Sequence, residues 1–274
     1  MRILVTNDDG IDAVGLHVLA RRLVELGDVV VAAPDREYSG AGAALGTLHL
    51  IHPEVRRVDL DGVPEAWSVT GPPALCVMFA RLGVFGEPFD LVVSGINPGA
   101  NSGRAIYHSG TVGAALTARN GGVSGLAVSQ AVDDFGVEGQ GWDEMLDHQR
   151  WDTAAEVGTL VAQAMLDDLP EEPIVLNVNV PNRALGDIAG WRRAEVARLP
   201  PRTLAHATLT PKAGHDDAFD VQMEWGDPIV LPVETDSGAV EAGYVAITAL
   251  SRMLDDPLVD LARVTAALDG ARSG

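Results

Sequence analysis

The chain has 274 residues, 47% hydrophobic and 21% charged, and its 19 basic against 39 acidic side chains give a formal net charge of −20. That balance excludes wholesale disorder and argues against a binder of nucleic-acid duplexes, whose affinity rests on cationic contacts to phosphate. Cys76 is the only cysteine, which rules out an intrachain disulfide, and no run of about 18 apolar residues marks a membrane span, so the sequence predicts a cytoplasmic protein without a membrane partner.

The chain opens on Ile3-Leu4-Val5, a short buried strand that breaks at Gly10 with Asn7, Asp8 and Asp9 at the break. Leu16, Leu19, Ala20 and Leu23 follow at helical spacing, with Gly27 as the stop. Residues 29–33 (VVVAA) form a second buried strand ended by Pro34, and the Gly-rich stretch DREYSGAGAALG comes next. Residues 47–69 alternate irregularly, as strands near a sheet edge do. Pro72 and Pro73 predict a helix start running towards Leu82. Residues 91–94 (LVVS) are a further strand, ending in GINPGANSG, and a helix is predicted from about 111 to 119.

A strand at 125–129, a polar surface loop over 132–149, a long helix over 151–169 and a strand at 174–178 complete the alternation. From about 190 to 235 the rhythm changes: RTLAHATLT and VQMEWG read as extended pieces of a β-rich excursion. Residues 244–248 return to the core, and an amphipathic helix is predicted over 257–268, placed to pack on its own chain or on a neighbour. Strands separated by helices imply right-handed βαβ units and a mainly parallel sheet, an α/β fold with helices on both faces.

Such a sheet gathers its ligands at the carboxyl ends of the strands. Three strand-end loops carry oxygen: Asp8 and Asp9 in the first, Asp35 and Ser39 in the second, Ser94, Asn97 and Asn101 in the third. Two adjacent carboxylates are costly there unless a cation or a proton sits between them. With a hydroxyl and an amide carbonyl they make an all-oxygen site suited to Mg²⁺, Mn²⁺ or Ca²⁺. In HSGTVGAAL, Ser109 is placed to cap a helix, and the N–H groups of Gly110 and Thr111 open a positive helix end that favours phosphate. His108 and Asp9 are the candidate proton donors. Each piece also has a plainer reading: Asp pairs, Ser-Gly and Asn-Pro are common turn formers, and Ser109 is a cap whether or not an anion is near. His17, on the first helix, reads as structural, and Cys76, within ALCVMFARL, as a small core residue.

Taken in order, MRILVTNDDG, PDREYSG, VVSGINPGAN and HSGTVGAA resemble the SurE family, the metal-dependent survival-protein nucleotidases; LNVNVP and TDSGAVEAGYVAIT resemble its later segments. The resemblance implies a Rossmann-like core and a phosphatase acting on nucleoside 5′- or 3′-monophosphates. It implies one divalent cation per subunit, Mg²⁺ or Mn²⁺ (with Ca²⁺ able to take the place in crystals), on Asp8, Asp9, Ser39 and Asn97. Phosphate falls near Ser109, Gly110 and Thr111, with Asn101 close by. The family also implies a homodimer or homotetramer built by exchange of β-hairpins and the C-terminal helix. On that basis the chain is one domain over 1–274: a core at 1–189 and 236–250, the excursion at 190–235, and a helical tail at 251–274. Arg104, and Ala249 in Thr-Ala-Leu, depart from the family's common pattern.

Two other classes fit parts of the chain. A phosphoryl-accepting receiver module also carries an acidic pair after its first strand, but needs an acceptor Asp and a Lys at later strand ends, where this chain offers Ser94 and Asn97 and no lysine after 125–129. A non-catalytic dinucleotide-binding domain needs G-x-G-x-x-G in the first turn, which TNDDGIDAVG lacks.

Overall fold

The first strand, β1 (Arg2–Thr6), sends Ile3 and Val5 into one hydrophobic core and Leu4 into another. A strand buried on both faces reads as a continuous apolar run, which is why MRILVT shows no polar alternation. The computed structural model describes residues 1–46, 52–133, 146–199, 204–215, 217–252, 260 and 262–264. On the Ile3 face lie α1 (Val14–Leu23) and α4 (Trp151–Asp167), packed against each other through Leu16, Leu19, Ala154 and Met165 among others. The Leu4 face is covered by α2 (Pro73–Arg81) and α3 (Gly110–Asn120). Cys76 is buried in that second core, where desolvation pushes its thiol up to about 12.

The remaining strands of the main sheet are β2 (Asp28–Pro34), β3 (Val55–Val58), β4 (Glu65–Val69), β5 (Leu91–Pro98), β6 (Ser124–Gln130), β7 (Val175–Val180), β8 (Trp191–Arg193) and β11 (Val245–Ala249). Their order is β3-β4-β2-β1-β5-β6-β7-β11-β8. Pairing is parallel from β4 through β7, and antiparallel for β3 with β4 and for β7 with β11. From β1 the chain goes first to β2 on one side and later to β5 on the other, with Thr6 opposite Ser94. That reversal opens a crevice at the carboxyl ends of β1 and β5. Asp8 and Asp9 follow the first of these strands, and Asn97 lies in the last two residues of the second.

Residues 190–235 divide differently from the expectation. β8 pairs in parallel with β11, Val245 opposite Trp191, so it belongs to the main sheet. Only β9 (Leu204–Pro211) and β10 (Phe219–Trp225) form a separate antiparallel hairpin. Three residues carry too little pattern to announce an edge strand. A short helix, α5 (Asp236–Glu241), capped by the Thr235 hydroxyl, leads into β11. Most of the expected tail helix, much of the 132–149 loop and His49 lie outside the described residues.

Candidate functional site

The crevice is organised around Asp8, which is only 3% exposed. Its Oδ2 accepts the Gly110 N–H at 3.0 Å, and its Oδ1 accepts the Thr111 hydroxyl in a short bond. Burial raises its carboxyl above the usual range; the Thr111 hydroxyl and the backbone N–H groups at the start of α3 oppose that rise. Ser109 caps the helix by accepting from the Val112 N–H at 3.0 Å. The positive end of α3 therefore already holds an anion, and that anion is Asp8. At the helix start where phosphate is expected, the Gly110 N–H and the Thr111 hydroxyl meet a carboxylate that the fold brings from 102 residues away.

Asp9 is the unsatisfied member of the pair. Its Oδ2 is buried and has no hydrogen-bond partner among the described residues. Desolvation first, then the charges of Asp8 and Glu37, push its carboxyl up to about 8. The preceding Asn7 fixes the turn through Gly10, donating from Nδ2 to the Gly10 carbonyl at 3.0 Å and accepting the Gly10 N–H at 3.2 Å.

Asn97 is joined to Asp8 through Thr111, whose hydroxyl oxygen stands 3.3 Å from Asn97 Oδ1. The Asn97 amide nitrogen donates to the carbonyls of Pro98 and Gly99, which turns its carbonyl oxygen towards Thr111. Ser39 is exposed. Its loop nevertheless reaches the site by backbone bonds, from Tyr38 N–H to the Asp8 carbonyl at 2.7 Å and from Gly42 N–H to the His108 carbonyl at 3.0 Å. Asp35, at the root of that loop, is exposed. His108 is exposed too, at the end of a 3₁₀ turn over Gly103–Tyr107. His17 donates from Nε2 to the Ile11 carbonyl at 2.7 Å and takes no part in the crevice.

Asn101 is buried and tied to the strands behind the loop. Its Nδ2 donates to Ser129 Oγ at 3.0 Å, its N–H to Asn179 Oδ1 at 2.8 Å, and its carbonyl accepts from Asn177 and Asn179. These β7 asparagines, with Ser129, Asp236 and Ser237, form a buried polar framework behind the loop that sequence reasoning missed. The two asparagines alternate with valines in LNVNV, and fully buried amides at that spacing are the one local signal that a second polar layer exists. Arg104 bonds the Arg198 carbonyl at 3.0 Å through Nε, so it fastens the loop's outer side.

The donor set suits a hard divalent cation. Two carboxylates, one of them with an orphaned buried oxygen, stand near an amide carbonyl and below a loop bearing a hydroxyl. Among the described residues no group of three or more His, Cys, Asp or Glu side chains could hold a metal, so a mixed oxygen shell is the one on offer. A cation would relieve the cost of adjacent buried charges that otherwise forces a proton onto Asp9.

The family model for survival protein SurE matches residues 3–203. The chain is 37% identical over 259 residues to the 5′-nucleotidase SurE of Synechococcus sp. (strain JA-3-3Ab), covering 91% of both chains. It is 38% identical over 255 residues to the 5′-nucleotidase SurE of Legionella pneumophila, covering 91% of this chain and 90% of that one. The crystal structure of the SurE protein from Aquifex aeolicus superposes with a TM-score of 0.76 at 27% identity, over 98% of this chain and all of that one. A family match across most of the chain, relatives similar over nearly its whole length, and the same arrangement of the sheet together establish that the chain belongs to the SurE family.

Proposed function

We propose that the protein is a 5′-nucleotidase, a phosphatase that hydrolyses nucleoside 5′-monophosphates to nucleoside and phosphate with one divalent cation, Mg²⁺ or Mn²⁺, per subunit. The observation that carries this reading is the Asp8–Asp9 pair at the switch point of the sheet, with a buried Asp9 oxygen left without a partner. Relatives that match over nearly their whole length are 5′-nucleotidases.

Asp8, Asp9, Ser39 and Asn97 would hold the cation. When bound, such an ion neutralises charge on phosphate oxygens and lowers the pKa of water. Asp8 is aligned by Gly110 and Thr111, so its geometry is set before any ligand arrives. The dipole of α3 adds positive potential at the same point, which matters in a chain of net charge −20. Water adds to phosphorus, the bond to the ribose oxygen breaks, and that oxygen needs a proton. With Asp9 holding the cation as a carboxylate, His108, exposed at the rim, would be the group to donate.

The protein is also proposed to be a homodimer or homotetramer. Leu209, Phe219, Val221 and Met223 are all more than half exposed, and a two-stranded hairpin with an apolar face is marginal alone in water. A second copy supplies the missing cover. Among the described residues no helix is long and apolar enough to cross a membrane.

The test is phosphate release from AMP, GMP and their 3′-isomers with Mg²⁺ or Mn²⁺, and its loss on chelation. Full cation-dependent activity in Asp8→Asn would overturn the site.

A further inference from the structure

Asp236 is completely buried and far from the cation site in sequence, yet its carboxylate has no basic partner among the described residues. Its Oδ2 accepts the Gly103 N–H at 2.9 Å, across 133 residues. Its Oδ1 accepts the N–H groups of Ala197 at 2.9 Å and Ser237 at 2.8 Å. Beside it, Ser237 Oγ donates to Ser102 Oγ at 2.8 Å. A buried charge survives without a counter-ion only when hydrogen bonds stabilise it this thoroughly.

What it holds is the loop that leads to Asp8. From Gly103 the connection runs through backbone bonds only: Ala105 N–H to the Ser102 carbonyl at 3.2 Å, then Ser109 N–H to the Ala105 carbonyl at 3.1 Å. Ser109 caps α3, and the next N–H is the one that Asp8 accepts. Gly103 sits at φ +54°, and a Cβ there would stand 3.1 Å from the Ala197 carbonyl oxygen, so the position is fitted to glycine. We propose that Asp236 is a positioning residue for the cation site: by gripping Gly103 it sets where the start of α3 meets Asp8. It rests on the reading of Asp8 and Asp9 as cation ligands, and it touches neither substrate nor cation.

Asp236→Asn separates this role from mere stability. The amide oxygen can keep the Ala197 and Ser237 bonds, whereas the amide nitrogen then faces the Gly103 N–H, donor against donor. Thr235→Ala removes the neighbouring helix cap, whose Oγ accepts the Gly238 N–H at 3.2 Å, without touching Gly103. Binding of Mn²⁺ to the metal-free protein is measured by calorimetry without nucleotide, alongside kcat and KM for AMP. Asp236→Asn is expected to weaken Mn²⁺ binding about tenfold and to lower kcat by at least as much, with Thr235→Ala near wild type in both. Mn²⁺ affinity within twofold of wild type in Asp236→Asn, or an equal loss in Thr235→Ala, overturns the proposal. Should Asp236→Asn fail to fold, Gly103→Ala decides by the same criteria, since it disturbs the other end of the same bond. A wild-type protein that binds Mn²⁺ and hydrolyses no nucleotide refutes the nucleotidase reading alone, because the affinity comparison still stands; one that binds no Mn²⁺ refutes both.

Discussion

Asp8 and Gly110 meet so closely that residue 110 has no room for a side chain: the carboxylate accepts the Gly110 N–H at 3.0 Å, and a Cβ on residue 110 would lie 2.8 Å from that same Oδ2 and 2.6 Å from Asp8 Cβ. Gly110→Ala must push Asp8 out of line while leaving helix propensity improved. We expect kcat for AMP to fall about 100-fold, as misplacement by about an ångström can cost in an aligned site, and Tm to fall with the roughly 1–3 kcal/mol that overpacking a buried position costs. Steady-state kinetics and thermal unfolding check both halves; wild-type kcat would show that Asp8 tolerates the shift.

Asp9 makes the metal-free protein sensitive to pH in an unusual direction. Its carboxyl titrates near 8 in the folded state, against about 3.9 in an unfolded chain. Between those values the folded protein binds a proton that the unfolded chain has lost, so stability falls as pH rises from about 4 towards 8. The raised carboxyl of Asp8 acts with the same sign. Thermal scans in chelator should show Tm decreasing over that window. Asp9→Asn should flatten the slope and raise Tm at pH 8 by several degrees, for roughly 1–3 kcal/mol of relieved charge burial. Mn²⁺ should raise the Tm of wild type at pH 8 and not that of the variant. A slope unchanged by the substitution would remove Asp9 as its source.

The position of Asp8 and Asp9 at a strand end was legible in the sequence, because an apolar run that stops at Asn-Asp-Asp-Gly has few other readings. The capped helix start at Ser109 was legible for the same reason: caps are local chemistry. What occupies that helix start was not, since the partner lies 102 residues upstream and only the sheet order brings it there. The buried layer of Asn177, Asn179 and Asp236 was equally hidden. The two asparagines alternate with valines in a strand and Asp236 sits in the polar turn Glu-Thr-Asp-Ser, and the bonds that tie them to the 101–103 loop span 76 to 133 residues. The β8 edge strand escaped notice because three residues cannot display a period.

Thr111 links both halves of the proposed cation site, bonding Asp8 Oδ1 and standing 3.3 Å from Asn97 Oδ1. Thr111→Val keeps the shape and the helix and removes only the hydroxyl. Charge-assisted bonds contribute about 1.5–3 kcal/mol, so kcat/KM for AMP should drop roughly 10- to 100-fold, with half-saturation by Mg²⁺ moving to higher concentration. Unchanged Mg²⁺ dependence would mean that Asp8 and Asn97 are held by other means.

If His108 hands a proton to the departing ribose oxygen, the cost of His108→Gln should depend on the leaving group. For AMP, whose alkoxide is a poor leaving group, kcat should fall about 10²-fold or more. For p-nitrophenyl phosphate, whose phenolate leaves without help, it should stay within a few fold. Equal losses on the two substrates would assign His108 to binding instead.

The apolar hairpin face predicts its own outcome. In the pair Leu209 and Val221, which stand opposite each other across β9 and β10, the double substitution to Lys should lower the oligomeric state seen by sedimentation or light scattering. Two like charges facing each other also repel across the ladder. An unaltered mass would show that copies meet elsewhere.

The loop that carries Ser39 is tied down at Tyr38 and Gly42 entirely through the main chain, to carbonyls of Asp8 and His108. Nothing in that fastening depends on which side chain stands at residue 39. If Ser39 holds the ion as proposed, holding the loop and coordinating are handled by separate atoms, and a carboxylate or an amide could replace the hydroxyl there, changing ion preference without the backbone bonds having to change.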